Sequence, residues 1–156
     1  MKAKQQKPIV VPMGEGKRLN VLGETIICRV SSGDTNGAYS VNEEVTPPQG
    51  GPPLHVHHRE DEMFYVLEGE CKVQCGDQTF TANKGFLAIL PRNIPHGFQN
   101  VGTTPSKVLV TIMPGGFERF FEEVSQMPAD GPSDMKKVIA IAQKYELELL
   151  PQSHGS

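Results

Sequence analysis

Through the first two thirds of the chain, apolar residues come in short runs closed by glycine, proline or asparagine. That rhythm is too tight for helices and suits strands. Leu19–Val21 leads into Gly23, and Thr25–Val30 is dense in β-branched residues. Ala38–Val45 follows Ser32-Gly33-Asp34-Thr35-Asn36-Gly37, which reads as a hairpin loop. Further strands are expected at Glu62–Glu68, Cys71–Cys75, Gln78–Ala82, Phe86–Leu90, Gly97–Val101 and Lys107–Met113. Many short strands separated by turn residues point to a sandwich or closed barrel. The segment Thr46–Pro53 carries four prolines and two glycines, so it cannot lie inside a strand. It is expected to form an ordered loop or flap leading into Leu54-His55-Val56-His57.

The period changes after Pro114. Phe117, Phe120, Phe121 and Val124 fall at i, i+3, i+4 and i+7, one face of a helix. The stretch Pro128 to Pro132 breaks it. Ser133 or Asp134 can cap a second helix whose apolar face is predicted as Met135, Val138, Ile139, Ala142 and Tyr145. Both stripes are expected to pack on the outside of the β-framework, with a lid over its mouth as the alternative. The organisation expected is a flexible tail over residues 1–7, a β-barrel over 8–114 and a helical extension of the same domain over 115–150.

Length and composition narrow this further. The 156 residues suffice for one domain with a real core. The 16 glycines and 13 prolines favour turns over long helices. A net charge of -3 is too mild for a nucleic-acid or anionic-membrane partner. Ile9-Val10-Val11 is cut by Pro12, too soon for a secretory segment, and no run is long enough to span a bilayer. A soluble, cytoplasmic protein is expected. Cys71 and Cys75 would lie roughly 13 Å apart on one strand, too far to bridge, and Cys28 has no obvious mate. All three are expected to be reduced thiols.

Candidate chemistry is concentrated in two segments. His55 and His57 are two apart, so a strand presents both imidazoles on one face and turns His58 away. Glu62 opens the next strand after a connection short enough to fold back beside them. His96 opens another strand after Pro91-Arg92-Asn93-Ile94-Pro95. Three imidazoles and a carboxylate make a mixed nitrogen/oxygen donor set. It suits one divalent transition metal (iron, manganese, nickel, copper or zinc) rather than calcium or magnesium. Four protein ligands leave positions open for water, dioxygen or a chelating substrate, the layout of a reactive site. His154, near the terminus, belongs to no such pattern.

These segments resemble the two motifs of the cupin superfamily. The first reads His55-x-His57-x4-Glu62-x6-Gly69 and the second Gly85-x5-Pro91-x-Asn93-x2-His96-x3-Asn100. Two departures occur. The leading glycine of the first motif is displaced, with Gly50 and Gly51 nearby. Asn93 stands where glycine is usual, a position asparagine tolerates because it accepts left-handed backbone. The resemblance implies an all-β fold, the cupin double-stranded β-helix or jelly-roll barrel with the C-terminal helices packed outside, and His55, His57, Glu62 and His96 as metal ligands.

The run Pro53–Gly69 and the Pro114–Glu118 opening of the first helix are similar to small bacterial cupins of the quercetin 2,3-dioxygenase-like group. That likeness implies an oxidoreductase acting on a flavonol- or enol-type small molecule, with Glu62 also taking the substrate proton. Strand parity puts Phe64 and Val66 on the face of Glu62, and Phe98 on that of His96, as candidate walls of the substrate pocket. Two other classes stay open. One is a non-oxidative isomerase or decarboxylase of a small hydroxy or keto acid, with Arg29 or Arg92 gripping the carboxylate. The other is a non-catalytic ligand-binding cupin. A homodimer is expected, by resemblance and because exposed strand edges tend to be covered, with Pro8–Pro12 as a possible exchanged strand.

Overall fold

The computed structural model describes residues 6–128 and 132–151. Most of the expected tail, part of the break between the helices, and His154 lie outside the described residues.

Among the described residues, eleven strands and two helices follow in chain order. The strands are β1 (Lys17–Val21), β2 (Glu24–Val30), β3 (Ser40–Thr46), β4 (His55–His57), β5 (Asp61–Glu68), β6 (Glu70–Cys75), β7 (Gln78–Asn83), β8 (Leu87–Leu90), β9 (His96–Asn100), β10 (Ser106–Met113) and β11 (Leu147–Leu149). The helices are α1 (Glu118–Ser125) and α2 (Met135–Lys144). Two antiparallel sheets, ordered β1-β2-β3-β10-β5-β8 and β11-β4-β9-β6-β7, face each other as a jelly roll. The expected strands are all present, with ends shifted by a residue or two. Cys28, Cys71 and Cys75 are free.

Alternation explains the core. On β10 every second residue is buried, and Val108, Val110 and Ile112 point inward beside Phe64 and Val66 of β5. β3 alternates with the same period, but its buried residues are Ser40, Asn42, Glu44 and Thr46. This reverses the usual apolar-in rule and gives the barrel a polar interior stripe.

The motif residues outside the ligand set hold loops. Asn100 donates from Nδ2 to the Thr46 and Thr104 carbonyls at 3.0 and 2.9 Å and accepts from the Gly102 amide at 2.9 Å. Asn93 adopts φ 66°, so the left-handed turn survives without glycine. Gly51 has φ 142°, and a Cβ there would sit 2.0 Å from the Phe98 carbonyl oxygen. The flap therefore lies directly on β9 and requires glycine at that point.

The C-terminal segment meets the expectation at its cap and departs from it in its buried face. Asp134 caps α2, accepting from the Lys137 amide at 3.2 Å. The buried face of that helix is Val138, Ile141 and Ala142, while Met135 and Ile139 are 45% and 44% exposed. The predicted stripe is thus rotated, because α2 is followed at once by β11. That strand pairs with β4, Leu147 opposite His57 and Leu149 opposite His55. Both helices pack on the barrel, and their apolar faces also help to wall its cavity.

Candidate metal centre

The three histidines are brought together by one sheet. β4 holds His55 and His57 on the same face, and β9 pairs antiparallel with β4 so that His96 stands opposite His55. The carboxylate comes from the other sheet, where Glu62 on β5 pairs with Ile112 and Leu90. His55, His57 and His96 offer ring nitrogens that all lie within 4.8 Å of one another. Glu62 Oε1 lies 2.9 Å from His57 Nε2, and Glu62 Oε2 lies 3.3 Å from His96 Nε2. All four side chains are buried.

The outward nitrogens are anchored. His55 Nδ1 is 2.6 Å from the Pro53 carbonyl and donates to it, which turns Nε2 inward as a lone-pair donor. His57 Nδ1 is 3.3 Å from Glu60 Oε2, and Glu60 is itself buried. This is the carboxylate–imidazole arrangement that fixes a ligating ring. Both ring nitrogens of His96 are buried without a hydrogen-bond partner, since the approach of Glu62 lacks hydrogen-bond geometry. An imidazole left in that condition is costly unless something else satisfies it. An orphaned nitrogen, a nitrogen/oxygen donor set and converging distances all fit a divalent transition metal held by these residues.

The charges agree. Burial pushes the His55 imidazolium down to about 3, helped by His96 and His57. His55 is therefore neutral and able to ligate at pH 7. Burial would lower His57 too, but the Glu62 charge and the bonds to Glu60 and Glu62 raise it to about 10. Burial alone would raise Glu62, yet His57 and His96 hold its carboxyl well below the usual range. Without a metal, the proton on His57 balances the Glu62 charge, and metal binding must displace it.

The four residues open onto a cavity of about 350 Å³. Phe64 and Phe98 line it, with ring centroids 5.3 Å apart. Val66 does not line it and lies fully buried in the core beneath. The sequence reading missed the contribution of the C-terminal segment. Phe117 lines the cavity and packs edge-to-face on His57, centroids 4.5 Å apart, with Phe120, Phe121 and Leu147 beside it. It also missed Glu24 and Glu44, which face the same space. Neither arginine lines it. Arg92 is half-exposed and pairs with Asp61 through two nitrogens at 3.1 Å, and Arg29 donates to the Val11 carbonyl at 3.2 Å. His58 points away from the centre, as its parity requires, bridging Asn93 and Glu148 at 2.9 Å each.

Fold and site together define a cupin-type jelly roll with a three-histidine cluster able to hold a metal. Residues 42–112, just under half of the chain, match the family described as Cupin domain. The chain is 31% identical over 75 residues to an uncharacterised protein of Methanocaldococcus jannaschii, covering 48% of this chain and 60% of that relative. Among solved structures it is similar to TT1209 from Thermus thermophilus, at 25% identity and TM-score 0.59, covering 69% of this chain and 98% of that one. The fold is likewise shared with KdgF from a Halomonas species, at 16% identity and TM-score 0.63, covering 70% and 97%. No helix among the described residues is long and apolar enough to cross a membrane.

Proposed function

We propose that this chain is a metal-dependent enzyme of the dioxygenase-like cupin kind, acting on a small enol- or flavonol-type molecule that chelates through oxygen. The observation that carries the reading is the convergence of three buried imidazoles and Glu62 at the wall of a largely apolar chamber. A divalent transition ion bound there supplies Lewis acidity, lowering the pKa of a coordinated hydroxyl. The chain's own residues do the rest. Phe64, Phe98 and Phe117 exclude water and receive a flat ring. His55, fixed by the Pro53 carbonyl, and His57, fixed by Glu60, keep the donor atoms aimed without reorganisation. Glu62, an ionised carboxylate at the cavity wall, would accept the substrate's hydroxyl proton in this reading.

A non-oxidative reaction on a hydroxy or keto acid has less support, because neither Arg29 nor Arg92 reaches the cavity to bind a carboxylate. The test is oxygen uptake by protein loaded separately with iron, manganese, nickel, copper or zinc, against flavonols and enediols. Uptake with a redox-active metal and one of these classes, lost in Glu62→Gln, supports the proposal. Absence of uptake in every combination overturns it.

A further inference from the structure

The cavity has a second polar pole that the metal centre does not use. Glu44 on β3 and Glu24 at the start of β2 both face it. The β2–β3 register pairs Ile26 with Glu44, and Glu24 lies two positions along β2 from Ile26, so the two carboxyl groups share one face of adjacent strands. Glu44 is only 8% exposed, opens onto the cavity and has no hydrogen-bond partner among the described residues. The Thr46 hydroxyl lies against Glu24 and partly offsets the effect of its burial, although neither Glu24 Oε1 nor Thr46 Oγ1 makes a well-formed hydrogen bond. No lysine or arginine lines the cavity to neutralise the pair.

Unpartnered buried acids cost stability, and a position with packing duty alone is better filled by valine or leucine. Burial pushes Glu24 up to about 7, and burial with the Glu24 charge raises Glu44 well above the usual range. At neutral pH the pair therefore offers both O–H donors and lone-pair acceptors. Hydroxyl groups match such a surface, whereas a carboxylate or phosphate would meet its own sign of charge.

Building on the chelating-ligand reading above, we propose that Glu24 and Glu44 bind hydroxyl groups on a second part of the ligand, away from the edge that faces the three histidines. The acids are specificity-determining residues, and selection lies in the hydroxyls that the chelating edge does not use.

The test uses the full chain loaded with cobalt(II), whose visible absorption reports the metal site. Two probes are titrated calorimetrically: 3-hydroxyflavone, which has the chelating edge alone, and quercetin, which adds ring hydroxyls. Wild type should prefer quercetin by about tenfold, the scale of one or two well-placed hydrogen bonds. Glu44→Met and Glu24→Met, two independent variants, should each cut that preference several-fold. Both should keep the cobalt spectrum and the affinity for 3-hydroxyflavone. If wild type shows no preference, or both variants retain it in full, the inference is overturned while the metal centre stands. If wild type gives no cobalt spectrum, the metal-centre reading falls; if the spectrum is present but neither probe binds, the chelating-ligand reading falls; either result takes the inference with it.

Discussion

The ring of Phe117 packs edge-to-face on the imidazole of His57, with centroids 4.5 Å apart. A residue at the entrance to the first C-terminal helix thus steadies a candidate ligand on β4, one of the two three-residue strands. Phe117 also stacks on Phe120 at 5.0 Å, tying the ligand to the whole helical cluster. Replacing Phe117 with alanine should cost about 3 kcal/mol of stability, as for a buried aromatic. It should also weaken metal binding, because His57 loses its lateral support. Urea unfolding and a metal titration on the same preparation check both.

Glu60 should matter for metal affinity without touching the metal. It is 4% exposed and faces His57 Nδ1. Glu60→Gln should lower affinity by roughly 10- to 100-fold, the usual cost of losing an outer carboxylate on a ligating histidine. Competition against a chelator measures this directly. Unchanged affinity would show that the Glu60 contact does not orient the ring.

The convergence of His55, His57 and His96 was legible in the sequence because strand geometry constrains it tightly. Residues two apart on β4 must share a face, and the spacing from Gly85 to Asn100 encodes a strand, a left-handed turn at Asn93 and a second strand. The C-terminal contribution was not legible. β11 is three residues long and follows α2 directly, so no run announces it, and its pairing with β4 rotates the buried face of α2 from Ile139 to Ile141. Glu44 was hidden for a different reason. Along β3 the polar residues are the buried ones, so the rule that apolar side chains face inward selects the wrong parity. Val66 fails as a wall residue because shared parity fixes the face of a strand, not its depth along the barrel.

The buried acids should leave a mark on stability. Glu24 is raised to about 7 from 4.5, so the folded state holds a proton that the unfolded state releases between those values. The Glu24 contribution to the stability of metal-free protein should therefore be lost as pH rises from about 4.5 to about 7, alongside a loss of the same sign from Glu44 and against an opposing gain from His55. Glu24→Gln should remove that contribution from the slope, and denaturant midpoints across this range test it. A slope unaffected by the substitution would show that Glu24 ionises normally in the fold.

We propose that a homodimer forms through the β8 edge of the six-stranded sheet. Leu87 and Ile89 there are 56% and 57% exposed, and they pair across the strand with Tyr65 and Met63. An apolar, unpaired edge of this kind invites a second copy. Pro8–Pro12 forms no strand within the chain. Leu87→Lys with Ile89→Lys should convert a dimer to a monomer in sedimentation equilibrium. A wild-type monomer at all concentrations contradicts the placement.

The central claim is tested most directly by titrating metal-free protein with cobalt(II) and following its visible absorption. One equivalent should saturate the chain, and His96→Ala, which removes the orphaned imidazole, should abolish the signal without unfolding the barrel. Failure of wild-type protein to bind, or an undiminished spectrum in the His96 variant, would contradict the account.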